Sequence, residues 1–425
     1  MPTRDTPARG LFDPIDAALE AVRERFLGLD DGRVADYIPE LSHADRDLFG
    51  LALVSLDGNV YRAGDADERF TIQSVSKPFV YALALSDLGL DEVTERVGVE
   101  PSGEAYNAIS LDPESGRPDN PMINAGAILT ASLVRGDGPE ERLERVVRTL
   151  SGFAGRTLEL DERVLDSEQR TGDRNRALAY LMRNAGALRV EVDDALAVYV
   201  AQCSLLVSAV DLAVMAATLA NAGRNPVTGE DVVSAAVAEH VMSVMATCGM
   251  YDASGDWLLR VGLPAKSGVA GGVVAVSPGQ FGIGTFSPPL DERGNSVRSR
   301  AALAALSSEF SLHLLHLTPG APRGVTIEAL AAGGGSAAHG TQVVVLRGDV
   351  EFLNAERAAR ALGEHWERLE DGERPGRLLI DLTHVGAITP VAAAILDALV
   401  STLRDEGVRV VAVDPHGRHL LGSVD

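Results

Sequence analysis

Ser74 and Lys77 are the residues of this chain whose types and spacing could make a nucleophile and its base. They lie in residues 70–85, FTIQSVSKPFVYALAL, three positions apart where a helix must begin. Pro78 has no N–H, so the carbonyl of Ser74 can receive no α-helical bond from it. The spacing predicts a helix starting close to Ser74, with Pro78 tolerated in its opening turn. At helical spacing the serine and lysine occupy neighbouring points of one face. A serine hydroxyl attacks only when something takes its proton, and a lysine can do so only when its own proton affinity is pulled down. A helix N-terminus also stabilises negative charge at the hydroxyl. Most Ser-x-x-Lys pairs in long chains are solvated helix residues, so the motif needs support from elsewhere.

Support comes from Lys266-Ser267-Gly268, which runs into Val269-Ala270-Gly271-Gly272. Glycines there let a substrate lie against the backbone, and a main-chain N–H can face a developing oxyanion. Ser-x-x-Lys followed by Lys-Ser/Thr-Gly, a helical domain apart, resembles the signature of the penicillin-recognising enzymes. Further stretches extend the likeness. They are Tyr37-Ile38-Pro39, Gln73 to Lys77 (QSVSK), Asn120 to Ala127 (NPMINAGA), Ser167-Glu168 with Gly172 to Asn175 (GDRN), Tyr199 through Gln202-Cys203-Ser204, Cys248 to Asp252 (CGMYD) and Gly262 to Gly268 (GLPAKSG). Together, over residues 10–317, they closely resemble the serine-dependent glutaminases.

That resemblance implies an amidohydrolase splitting L-glutamine into L-glutamate and ammonia through an ester on Ser74, with no metal or organic cofactor. It makes Lys77 the base and places the oxyanion on the N–H groups of Ser74 and Val269. Asn124, Glu168, Asn175 and Tyr199 would hold the amino-acid end of the substrate, with Tyr37 and Tyr251 flanking the reacting amide and Gln73 also binding the substrate. The residue types suit the task. A zwitterion needs a carboxylate such as Glu168 for its ammonium and neutral amide or phenol donors for its carboxylate, and Tyr251 could relay a proton to departing ammonia. Lys266 is either structural or a like charge that keeps Lys77 neutral. Two other readings compete: another amide hydrolase of the penicillin-recognising fold, and a regulatory protein whose large domain only senses glutamine.

The elements that must position these residues follow from the pattern. Asp13-Pro14 opens an amphipathic helix that Gly28 is placed to end. Residues 51–56 and 60–63 read as a hairpin through Asp57-Gly58, and residues 86–250 mostly as helices. Strands are expected at 257–262, 271–276 and 281–286, then a helix over 297–317. An antiparallel sheet flanked by helices, with a helical subdomain beside it, accounts for this order. His313 and His316 are spaced like metal ligands but sit in the apolar run SLHLLHL without a carboxylate motif, so no metal site is expected.

Residues 318–339 read as a small-residue linker, and 340–425 as a compact second domain with strands at 342–346, 378–382 and 408–413 and helices at 355–369 and 391–403. On residues 378–385 (LLIDLTHV) and the helix that follows, this domain resembles a STAS domain, which implies a regulatory or association role. Where such domains carry a phosphorylated serine, this chain has Ala387-Ile388-Thr389-Pro390, leaving Thr389 as the hydroxyl.

Composition limits the rest. The chain has 425 residues and a net charge of −23, spread along its length, which argues against nucleic-acid binding. No tract is apolar for long enough to cross a membrane, and the first residues lack the pattern of a secretory signal. A cytoplasmic enzyme is expected, and the family resemblance implies a homo-oligomer, dimer or tetramer. Low lysine with abundant Ala, Gly, Arg and Val fits a GC-rich bacterial source. Cys203 and Cys248, the only cysteines, are too few for a disulfide framework and are expected as buried thiols.

Overall fold

The computed structural model describes residues 13–36, 38–104, 108–316, 324–330, 341–369 and 374–415. Two compact units divide the chain, one spanning Val22–Ala305 and the other combining Met1–Ala21 with Leu306–Asp425. Helix α1, Asp13–Phe26, opens the described part.

The larger unit is built on five antiparallel strands: β1 Gly50–Ser55, β2 Val60–Gly64, β5 Ala265–Ser267, β6 Gly272–Ser277 and β7 Phe281–Phe286. Their order is β2-β1-β7-β6-β5, so the first hairpin of the chain is completed by strands more than two hundred residues later. Two short strands, β3 Phe70–Thr71 and β4 Leu206–Val207, pair beside it. Helices fill the interval: α2 Lys77–Leu88, α3 Leu90–Arg96, α4 Asn124–Leu133, α5 Pro139–Ala154, α6 Glu162–Thr171, α7 Asp173–Asn184, α8 Val192–Cys203, α9 Ala209–Ala220, α10 Ala235–Cys248 and α11 Ser254–Arg260. The expected hairpin and the strands at 271–276 and 281–286 are present within a residue.

Helix α9 is the element the sheet closes on. Its sequence, AVDLAVMAATLA, is almost entirely small or aliphatic, and Ser208 and Asp211 close its N-terminus in a reciprocal capping box. It lies against β7, whose Gly282 and Gly284 alternate onto one face. A Cβ at Gly284 would stand 2.0 Å from the Ala209 carbonyl oxygen, and one at Gly282 would stand 2.0 Å from the Ala217 nitrogen. Only glycine lets strand and helix backbones come this close.

Two expected elements differ. Residues 257–262 are not a strand; residues 254–260 form α11. Short apolar runs do not distinguish the two periods. The burial of Ala253, Trp257 and Val261 at four-residue spacing, with an Asp256–Arg260 ion pair at i,i+4, is helical. Helix α12, Val297–Glu309, stops well before 317. Ser311 takes φ +57 and the Leu312 N–H turns back to the Ser307 carbonyl, the bond that ends a helix in a left-handed cap. His313 and His316 therefore lie beyond the helix.

In the second unit, β9 Thr341–Arg347, β10 Arg377–His384 and β11 Arg409–Val413 are parallel, and β8 Gly324–Leu330 pairs antiparallel with β9, giving the order β11-β10-β9-β8. Helices α13 Phe352–Arg368 and α14 Pro390–Asp405 supply the crossovers and pack on each other. Strand β8 falls inside the stretch read as linker, where the alternation V-T-I-E-A was hidden by the small residues around it. Among the described residues no helix is long and apolar enough to cross a membrane.

Candidate active site

The loss of one N–H at Pro78 shapes the centre of the site. Because Pro78 cannot bond the Ser74 carbonyl, the Lys77 N–H does so instead, and Gln73–Ser76 becomes a 3-10 turn that leads into α2 at Lys77. The α-helix thus begins three residues later than the spacing predicts. In a 3-10 turn positions i and i+3 eclipse, which lines Ser74 up with Lys77 along the turn. Both are buried, Lys77 at 1% exposure and Ser74 at 8%.

The residue before Ser74 is strained. Gln73 has φ +50, in the left-handed region, at a cost of about 1–3 kcal/mol for a residue with a Cβ. Its side chain secures that conformation: Nε2 donates to Thr71 Oγ1 at 3.2 Å and to Glu168 Oε1 at 2.8 Å. Lys77 heads a second chain. Its Nζ donates to Asn124 Oδ1 at 2.7 Å, and Asn124 Nδ2 donates to Asn175 Oδ1 at 3.1 Å. Asn124 is the first residue of α4 and Asn175 lies in the first turn of α7, so these helices place one amide on the lysine and the other behind it. Glu168, from α6, and Asn175 also line a cavity of about 180 Å³ with Arg176, Asp193 and Val200.

A third layer lies under the turn. Ser76 Oγ donates to the Gln73 carbonyl at 2.7 Å and accepts from Gln202 Nε2 at 3.2 Å. The Cys203 thiol is within hydrogen-bonding reach of Ser76 and Tyr199. Tyr199, Gln202 and Cys203 are spaced i, i+3 and i+4 on α8 and share one face.

The strand β5 closes the other side. A Cβ at Gly268 would stand 3.0 Å from the Ile72 carbonyl oxygen and 3.4 Å from the Gln73 Cβ, so the glycine lets the Lys-Ser-Gly segment lie against the turn that carries Ser74. Val269 follows it and lines a cleft of about 800 Å³ with Arg33, Asp36, Asp291 and Glu292. Strand β5 is the edge of its sheet. The N–H of Gly268 reaches Gly272 and the N–H of Val276 reaches Pro264, so the even-numbered residues of this strand bond β6 and the Ser267 carbonyl turns away from it. Lys266 Nζ donates to that carbonyl at 2.8 Å. It also lies 3.8 Å from the ring centroid of Tyr251, a ring that Lys77 Nζ approaches to 5.6 Å.

Burial governs the charges. It pulls the Lys77 ammonium down to about 7, against the opposing pull of Cys203 and Glu168. It pushes the Glu168 carboxyl up to about 7, although the Gln73 bond and Lys77 both favour the anion. It also holds Lys266 well below the lysine range, reinforced by Lys77, and raises the Cys203 thiol to about 12. A lysine able to be neutral near pH 7, at the head of a helix and three residues beyond a serine, has the chemistry to take that serine's proton.

A serine–lysine pair, an edge-strand Lys-Ser-Gly and convergent amides fit several amidohydrolases, and comparison with known proteins decides among them. The glutaminase family profile matches residues 32–315. The chain belongs to the glutaminase family. It is 51% identical to a glutaminase of Trichormus variabilis over 301 residues, 71% of this chain and 90% of that one. A glutaminase of Corynebacterium glutamicum is 42% identical over 407 residues, 95% of this chain and 94% of its own. Among solved structures, Mglu superposes with a TM-score of 0.70 at 43% identity, covering 95% of this chain and 99% of that one. A probable glutaminase of Bacillus subtilis does so at 0.66 and 35%, covering 70% and 97%. The chain is an enzyme of the glutaminase class, an α/β protein whose antiparallel sheet and many helices match glutaminase structures.

Of the residues marked from the sequence, Gln73, Ser74, Lys77, Asn124, Glu168, Asn175, Tyr251 and Lys266 come together through the turn and the contacts given above. Tyr199 joins through Cys203, and Val269 through Gly268. Tyr37 lies outside the described residues. Thr71, Ser76, Gln202 and Cys203 had been given no part. The helical spacing of Gln202 and Cys203 from Tyr199 was the available signal.

Proposed function

We propose that this chain hydrolyses L-glutamine to L-glutamate and ammonia through a glutamyl ester on Ser74. Lys77, as the free amine, takes the Ser74 proton while Oγ attacks the side-chain amide carbon. The oxyanion is received by the N–H groups of Ser74 and Val269. As the tetrahedral adduct collapses, the C–N bond breaks and Tyr251, resupplied from the Lys77 ammonium, gives a proton to the departing nitrogen. Water then attacks the ester by the same path, Lys77 taking its proton, and Ser74 leaves as the alcohol. Glu168 receives the substrate ammonium, Gln73, Asn124, Asn175 and Tyr199 hold its carboxylate end, and Tyr37 flanks the amide. The scheme calls for no metal or organic cofactor.

The observation that carries this reading is a buried lysine three residues beyond a buried serine, joined through a proline-forced 3-10 turn, where burial pulls the ammonium down to about 7. Ser74→Ala should abolish ammonia release while glutamine still binds. Activity within about tenfold of wild type, about 1.4 kcal/mol in the barrier, would reject Ser74 as nucleophile. We assign the catalytic domain to residues 10–317. The last domain, from 340, is assigned a STAS-like role in self-association or partner binding within a homo-oligomer. Two buried free thiols support a reducing, cytoplasmic setting.

A further inference from the structure

Tyr251 is an aromatic residue in an unusual backbone state. It begins a 3-10 turn, Tyr251–Ala253, with φ +55, where a bulky side chain is found only under constraint. Something must hold its ring, and the group on the ring face is an amine. We propose that Lys266 is a positioning residue: packed on the face of Tyr251 and tied to the Ser267 carbonyl, it fixes the phenol for proton delivery to the departing nitrogen. The assignment rests on the reading of Tyr251 as the proton relay.

The geometry gives Lys266 this part and no other. Its side chain is fully buried, its amine is engaged by a backbone carbonyl at 2.8 Å, and the ring centroid is 3.8 Å away. An N–H directed at an aromatic face is a weak but oriented contact, and here it pins a ring rather than reaching a substrate. Lys77 approaches the same ring at 5.6 Å, so the two amines can be no further apart than the sum of their distances to its centre. Two ammonium ions that close in a buried site repel strongly. Glu168 acts on Lys77, from α6, and favours its charged form. Among the described residues, the charged group that acts on Lys266 is Lys77, and it disfavours the ammonium. Lys77 therefore carries the proton in each cycle, and Lys266 remains an amine.

A double-mutant cycle on the full-length chain tests this, with steady-state glutamine hydrolysis followed across neutral pH and thermal unfolding recorded for each variant. Lys266→Met, which keeps the length of the side chain and removes its N–H groups, should lower kcat about 10- to 100-fold and leave KM within about twofold. Tyr251→Phe should lower kcat at least as much. The double variant should be no slower than Tyr251→Phe alone, within about twofold, because Lys266 acts only through the phenol. The acid limb of kcat should stay in place in Lys266→Met. Lys266→Gln, which retains an N–H for the carbonyl and ring, should recover most of the loss, and Lys266→Leu, which has no N–H, takes the methionine variant's place in the cycle if that variant does not fold. Multiplying losses in the double variant, an acid limb moved to higher pH, or a full kcat in Lys266→Met would each overturn the proposal. A Tyr251→Phe enzyme with wild-type kcat would instead remove the relay reading, and the proposal with it.

Discussion

Burial brings Lys77 down and Glu168 up to about 7 from opposite directions, and in the proposed scheme each must lose its proton before the reaction can run. Below about 7 the lysine is an ammonium that cannot accept the Ser74 proton, and the carboxyl is neutral and cannot pair with the substrate's ammonium. The two groups interact, so the observed ionisations belong to the pair. We expect kcat/KM to fall on the acid side more steeply than one ionisation allows. In Glu168→Gln the KM for glutamine should rise about 10- to 100-fold and the acid limb relax to a single ionisation. A limb as steep as wild type would show that Glu168 is not one of the groups. The identities of these residues were legible because they come in ordered motifs. Their mutual bonds were not: that Asn124 would meet Lys77, or Gln73 meet Glu168, depends on how α4 and α6 pack, which no local spacing encodes.

A single missing N–H decides the shape of one element and through it the alignment of two side chains. Restoring that N–H in Pro78→Ala would let the Ser74 carbonyl take an ordinary α-helical bond, opening about 60° between Ser74 and Lys77. We expect kcat to drop about tenfold or more while the melting temperature moves by only a few degrees. Wild-type kcat in a folded Pro78→Ala protein would mean that the eclipsed turn is incidental. The sequence signalled the proline but not the full consequence. It marks the broken bond and puts the helix start close to Ser74, whereas the bond from the Lys77 N–H to the same carbonyl moves that start to Lys77. The run at 257–262 failed for a different reason, since a few apolar residues satisfy both periods and only burial at 253, 257 and 261 separates them.

At the scale of the whole molecule, the hairpin near the N-terminus and the strands beyond residue 264 were visible separately. That β7 inserts beside β1 was not, since strand order is a property of long-range packing and here follows from the glycine groove that receives α9. The strand–helix alternation of the second unit was legible throughout except for β8. The sheet of the larger unit ends at β5, and an open margin of this kind ordinarily lets an extended polypeptide dock as one more strand. Here an internal amine already occupies the outward carbonyl at Ser267. An incoming chain would lose its first attachment point, whereas a lone amino acid needs none. Glutamine embedded in an unfolded protein should therefore release ammonia at least about a hundredfold more slowly than the free compound at equal concentration. Comparable rates would mean that this margin is open after all.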